Sequence, residues 1–252
     1  MHQLGKGINS MAVRTGATKK KRLSKAEQER RDKILSLLDE RYSTELKCYL
    51  NHENAWQLLV ATILSAQCTD ERVNIVTKEL FCKYTSVEDF ANAEIKELEK
   101  DIHSTGFYKN KAKNIIACCQ TLINEYQGEV PSDLDQLTKL AGVGRKTANV
   151  IRGNIYHEPS IVVDTHVKRI SKKLGFTKME DPEKIEFDLM EVIPKDHWIL
   201  YNIQIIAHGR SLCVARSPKC EECFLNEYCM EYRKKGKKQN EVSGSRHRNN
   251  RT

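Results

Sequence analysis

From Ser24 onward, apolar residues recur every three or four positions, and each run begins at a residue able to cap a helix. Ser24-Lys-Ala-Glu27 has the form of a capping box and opens a run with Ile34, Leu35, Leu37 and Leu38 on one stripe. Asn54 can cap a run carrying Trp56, Leu59, Val60, Ile63 and Leu64. Thr69 or Asp70 can cap one carrying Val73, Val76 and Leu80. The same spacing predicts helices around 94–102, 111–126, 133–141, 145–156, 165–174, 182–193 and 197–208. Gly106, Gly128, Pro131, Gly142, Gly144, Pro159 and Gly175 punctuate them. Only Ile161-Val-Val163 looks strand-like, and it is too short to build a sheet. The pattern predicts an all-α protein without internal repeats.

The two ends break this pattern. Residues 1–23 and 233–252 are rich in Lys, Arg, Gly, Ser, Thr and Asn with little apolar content, which predicts disordered basic tails. Residues 1–26 carry seven Lys or Arg and no acid, and residues 233–252 carry eight against one Glu. The ends therefore hold +14 of charge against +8 for the whole chain, leaving −6 for the body. Net charge thus says nothing about a nucleic-acid partner. The local pattern says more, because residues 139–173 hold eight Lys or Arg against two acids. The acid-free start also fits a mitochondrial presequence, without a clear amphipathic period, and Met11 is an alternative start. At 252 residues, 39% hydrophobic and 30% charged, the chain reads as soluble, with a core sufficient for one or two domains. No apolar run approaches the ~18 residues of a membrane span, and no secretory apolar region is present.

Nine cysteines without an export signal point to a reducing compartment. Cys48, Cys68, Cys82, Cys118 and Cys119 are scattered over helical runs and read as small buried hydrophobes. Cys213, Cys220, Cys223 and Cys229 are grouped as C-x6-C-x2-C-x5-C. Four thiolates so close make an all-sulfur cage that suits an iron–sulfur cluster or zinc. Structural zinc sites show C-x2–4-C at both ends of the ligand set, whereas only one C-x2-C occurs here.

A second motif lies upstream. Leu137, Leu140 and Ala141 end one helix, Gly142-Val-Gly144 make a tight turn, and Arg145 begins the next. Free N–H groups at that helix start can bind a phosphate oxygen without reading sequence. On the glycines alone an ordinary αα-hairpin is the better reading. Lys146 falls in the first turn, where the helix dipole disfavours an ammonium, and partial burial would act in the same direction. A neutral amine there can attack carbon, while a plain phosphate-pairing lysine is the other reading. Val163-Asp-Thr-His166 follows. Asp164 can cap the next helix, and a carboxylate so held can also stabilise a developing sugar cation. His166 reads as structural or phosphate-contacting.

Together, Leu140-Ala-Gly-Val-Gly-Arg-Lys-Thr-Ala-Asn149, Val163-Asp-Thr-His166 and the cysteine cage resemble the endonuclease III family of the helix–hairpin–helix superfamily. Leu64-Ser-Ala-Gln-Cys-Thr-Asp70 and Gly106-Phe-Tyr-Lys-Asn-Lys-Ala112 add to the resemblance, which spans about residues 25–232. It implies two helical lobes flanking a DNA-binding cleft. One is a six-helix barrel with the helix–hairpin–helix, here 48–158. The other joins 24–47 to 159–232 and holds a [4Fe–4S] cluster on Cys213, Cys220, Cys223 and Cys229. It further implies a base-excision DNA N-glycosylase and abasic-site lyase acting as a monomer on oxidised pyrimidines in damaged double-stranded DNA. Lys146 and Asp164 would be catalytic. Gln67 would fill the gap left by a flipped base and Phe107, where the family often has leucine, would wedge into the stack. Gly142, Gly144, Arg145 and His166 complete the implied DNA contacts, and Arg210, Arg216 and Lys219 could meet phosphates beside the cluster. Adenine-excising relatives lack the lysine and carry a further C-terminal domain, so Lys146 and the early end of this chain point to the oxidised-pyrimidine branch. The expected location is the bacterial cytoplasm at the nucleoid, or the nucleus or mitochondrion in a eukaryote, with no membrane.

Overall fold

Side-chain caps define most of the helices. In a computed structural model, which describes residues 23–42, 44–45 and 48–234, Ser24 accepts from the Glu27 N–H to open α1 (Lys25–Arg41). Asn54 does the same for α2 (Ala55–Leu64) through Gln57, and Thr69 for α3 (Asp70–Lys83) through Arg72. Each cap satisfies one of the otherwise orphaned N–H groups of a helix start. There follow α4 (Val87–Ala91), α5 (Ile95–Asp101), α6 (Tyr108–Tyr126), α7 (Leu134–Lys139) and α8 (Arg145–Ile155). The chain ends in α9 (Thr165–Leu174), α10 (Pro182–Val192) and α11 (Trp198–Ser211), with short 3-10 turns at His103–Thr105, Lys195–His197 and Asn226–Tyr228. Among the described residues there is no strand, so the all-α expectation holds. Most of the basic tails lies outside the described residues.

The apolar positions sort into two cores. One is built from α2 to α8, with Leu58, Leu64, Phe90, Leu98, Ile115, Leu122, Leu137 and Ile151 fully buried. Helix α2 is buried from Gln57 to Leu64, on every side, which places it at the centre of this bundle. The other core joins Ile34 and Leu38 of α1 to Val167 and Ile170 of α9, Ile185 and Leu189 of α10, and Tyr201 and Ile205 of α11. The chain thus starts in the second core, leaves to build the first, and returns. Two buried arginines fasten α1 to the far end. Arg30 donates to the carbonyls of Leu174 (2.8 Å) and Tyr228 (2.6 Å), and Arg31 to that of Gly175 (3.3 Å).

Three local features refine the pattern. Ile161-Val-Val163 forms no strand; Ile161 and Val162 are buried and Val163 half-buried, which explains the strand-like composition. Helix α6 begins at Tyr108, three residues before the predicted start, directly after Phe107 in a left-handed conformation. The five-residue α4, held by a reciprocal capping box between Ser86 and Asp89, is too short for a periodic signal.

Candidate active site and cysteine cage

The hairpin joins α7 to α8. Leu140 and Val143 anchor it in the first core, and the Val143 N–H donates to Leu140 O at 3.1 Å. Gly142 has φ 77°, and a Cβ there would stand 2.9 Å from the Asn114 Cβ, so both backbone and space demand glycine. Gly144 caps α8 without any side-chain bond, so the first N–H groups of α8 lack a side-chain cap. Gly142 and Gly144 are exposed. The turn therefore presents backbone donors outward, as an anion-binding helix start requires.

Lys146 is the second residue of α8 and is exposed, so partial burial is not a property of the site without DNA. Asp164 is half-buried and caps α9, accepting from the Val167 N–H at 2.7 Å. Both line one pocket of about 130 Å³ between the cores. Thr62 and Ser65 contribute from the α2 end, Asp70 from α3, and Asn202 and Arg210 from α11. Arg210 pairs with Asp70 at 2.5 Å and lies 4.3 Å over the Tyr49 ring. It therefore belongs to the pocket rim, on α11, rather than to the loop beside the cysteines. Arg216 and Lys219 do lie on that loop, exposed.

Arg145, expected to meet phosphate, has an intramolecular partner in the protein without DNA. Its Nε donates to Glu186 Oε2 at 2.7 Å and its Nη2 to Oε1 at 2.9 Å, while Phe187 stacks on the guanidinium at 5.2 Å. Asn149 donates to the same Glu186 (3.1 Å) and to Ile161 O (3.2 Å). Arg145 is thus committed to a bidentate clamp that ties the start of α8 to α10. Its chain neighbour, Lys146, is exposed and shows no hydrogen-bond or ion partner among the described residues. His166 is half-buried, with Nδ1 buried and unpartnered. Burial holds its pKa below the ordinary histidine value; Asp164 opposes this, while Arg169 and Arg210 add to it. A Cβ on Gly209 would fall 2.2 Å from that Nδ1, so Gly209 is the space into which the ring packs. Gln67 and Phe107 are both exposed loop tips with φ 54° and 51°. Gly209 and Glu186 carry no local sequence signal; only their neighbours in space reveal them.

The four grouped cysteines surround one cavity beyond α11, with about 40 Å³ of free room. Ile170, Leu174, Leu212 and Leu225 make its apolar wall. The Cys223 N–H bonds to Cys220 O (3.2 Å) and the Cys229 N–H to Asn226 O (3.1 Å), so tight turns set the spacing. His208, 1% exposed, brings Nε2 to 3.7 Å from the Cys223 sulfur and Nδ1 to 3.0 Å from the Tyr42 hydroxyl. Burial pushes the Cys223 thiol up to about 11 and raises that of Cys213, so a ligand set here needs a strongly cationic centre to become thiolate. Among the described residues, no three His, Cys, Asp or Glu side chains form a group for a single metal ion. Four sulfurs around an apolar cavity fit a cluster of several iron atoms.

Residues 60–195 match the model of the HhH-GPD superfamily base excision DNA repair protein. Residues 213–229 match the iron–sulfur binding domain of endonuclease III. Endonuclease III of Synechocystis is 48% identical over 205 residues, covering 81% of this chain and 93% of the relative. That of Bacillus subtilis is 48% identical over 193 residues, covering 76% and 88%. A trapped endonuclease III–DNA covalent intermediate superposes with TM-score 0.78 at 44% identity, covering 82% of this chain and 98% of that one. A non-covalent endonuclease III–DNA complex gives 0.79 at 44% identity, covering 83% and 98%. The cysteine cage is thus an iron–sulfur site rather than a zinc site, and the chain belongs to the endonuclease III family of base excision DNA repair enzymes, glycosylases with abasic-site lyase activity.

Proposed function

We propose that this chain binds damaged double-stranded DNA as a monomer, flips an oxidised pyrimidine nucleotide into the pocket between the cores, and excises it through Lys146. The carrying observation is that Lys146 and Asp164, on separate helices, line the same pocket. A single chain supplies both walls. The uncapped N–H groups at Gly144–Lys146 would hold a backbone phosphate, and the target base, stacked inside a duplex, must leave it to reach the pocket. Damaged bases unstack more cheaply, which supplies part of the selectivity.

In this reading the Lys146 amine attacks C1′ as the bond from C1′ to the base breaks, and the base leaves with its electron pair and takes up a proton. Asp164, held in place by the Val167 N–H, offsets the positive charge that develops on the sugar. The amine then loses protons while the ring oxygen gains one, opening the sugar and giving a Schiff base. Loss of a C2′ proton expels the 3′ phosphate, cutting the strand, and water releases Lys146. One difficult displacement becomes two easier steps. Exposure of Lys146 in the free protein fits this, since the bound duplex itself would exclude water. The [4Fe–4S] cluster, held by Cys213, Cys220, Cys223 and Cys229, would supply a rigid link for the C-terminal loop when bound. Arg216 and Lys219, exposed on that loop, would meet phosphates. The bacterial relatives support action in the cytoplasm at the nucleoid, and no described helix is long and apolar enough to cross a membrane.

Borohydride trapping on a thymine-glycol duplex tests this reading. The wild type should give a covalent complex on a denaturing gel, and Lys146→Gln should give none while still binding the duplex. A Lys146→Gln protein that traps or nicks at the wild-type rate would remove Lys146 as nucleophile.

A further inference from the structure

Of four described non-glycine residues in the left-handed region, Gln67 at φ 54° and Phe107 at 51° stand at exposed loop tips whose roots lie together. Such backbone costs free energy and collects at working sites. Phe107 is also 62% exposed, although its side chain is apolar. Ser65, two residues before Gln67, lines the pocket that holds Lys146 and Asp164.

Beneath both loops lies one ammonium. Lys111, in the first turn of α6, is only 4% exposed. Its Nζ donates at 2.8 Å to the carbonyl of Leu64, the last residue of α2, and at 2.8 Å to that of Thr105, the last of the turn before Phe107. One side chain therefore joins the root of the Gln67 loop to the root of the Phe107 loop. The position is costly for a cation. Burial pushes the lysine below its ordinary pKa, opposed by Cys68 in the Gln67 loop, and the start of α6 is the positive end of its dipole. A buried methionine would pack as well without that cost. It would not hold two carbonyl oxygens at a set separation.

We propose that Lys111 is a positioning residue that fixes the spacing of the Gln67 and Phe107 loops, so that both side chains enter the base stack as one unit. This rests on the reading above in which those side chains enter the stack. Lys111 is buried beneath the loops, so it would act through the two carbonyls and not on the substrate itself.

The test compares Lys111→Met with Gln67→Ala, Phe107→Ala and their combinations. The reporters are 2-aminopurine fluorescence beside the lesion and affinity for lesion and undamaged duplexes. In the wild-type background the two loop substitutions should be non-additive, the second costing little once the first is made, as for any pair that works as a unit. In Lys111→Met they should become additive. Lesion affinity should fall about tenfold, while affinity for undamaged duplex, set by phosphate contacts, stays within about twofold. Coupling that survives in Lys111→Met, or a change in melting temperature alone, would overturn the proposal while leaving the loop reading intact. If Gln67→Ala and Phe107→Ala each leave lesion capture unchanged, the loop reading fails and the proposal with it. Hydrogen exchange on the wild type covers the case in which Lys111→Met does not fold. Amides of 65–69 and 103–107 should open together, with one free energy, and independent opening refutes the coupling.

Discussion

Glu186 tests how the second core places the helix that carries Lys146. Its carboxylate is 8% exposed at the side chain and accepts three bonds, two from Arg145 and one from Asn149, all on α8. Glu186→Ala leaves all three donors without their partner. Breaking a buried ion pair by removing one member costs about 3–5 kcal/mol. Arg145 is 33% exposed, so water reaches the freed guanidinium and the lower end applies, about 3 kcal/mol. Glu186→Gln keeps the two bonds to Oε1 and loses the charge-assisted one to Oε2, for about 2 kcal/mol. At about 2–4 °C per kcal/mol, Glu186→Ala should melt about 6–12 °C lower by circular dichroism.

Activity should respond separately from stability. Arg145 is the first residue of α8 and Lys146 the second, so a slack clamp lets the amine drift relative to Asp164. A misplacement of about 1 Å can cost up to about a hundredfold, and a partial loss of restraint should slow single-turnover trapping about tenfold. The apolar pair Arg145→Met with Glu186→Leu should recover much of the stability without recovering the rate, because packing replaces the charge energy but not the bidentate geometry. The result that refutes this reasoning is a Glu186→Ala protein that melts within about 1 °C of wild type and traps at the wild-type rate.

Four further outcomes are expected. Gly142→Ala should destabilise by about 1–3 kcal/mol, from a positive φ and a Cβ 2.9 Å from Asn114. Gly144→Ala, with φ −92° and open space, should leave the melting temperature unchanged yet weaken DNA binding, since a methyl group would stand before the phosphate-binding N–H groups; equal effects on stability would contradict the assignment. His166 has a lowered folded-state pKa, so below its unfolded value of about 6.5 the unfolded chain binds the proton first. Its contribution is complete above that pH and is lost as pH falls through the folded value. His166→Gln should flatten the acid side of the stability profile, and an unchanged slope would exclude the histidine as its source. Burial pushes the Cys118 thiol up to about 12 and raises that of Cys119 further, whereas Cys82 is exposed. Iodoacetamide should therefore label Cys82 in the native protein and reach Cys118 and Cys119 only on unfolding, as peptide mass spectrometry would read.

What the chain discloses before folding depends on where the partner of each residue lies. Helix α2 was legible because its cap and its apolar residues are local, and Lys146 and Asp164 were legible because each belongs to a contiguous motif at a helix start. Helix α4 was not, since five residues make too little of a period. Arg145 shows the deeper limit. Within a basic stripe it reads as a DNA contact, and nothing local discloses that it also pairs with a residue 41 positions away, in a helix whose pattern announces only core packing. Lys111 likewise reads as one more surface lysine among Lys109, Lys111 and Lys113, and becomes distinctive only when Leu64 O and Thr105 O are found around its ammonium. Gly209 reads as a helix-weakening residue until the His166 ring is seen against it. Groups that would act on the substrate directly thus announce themselves through spacing and type. Groups that hold those in place act through partners distant in sequence, and such partners leave no mark on the local pattern.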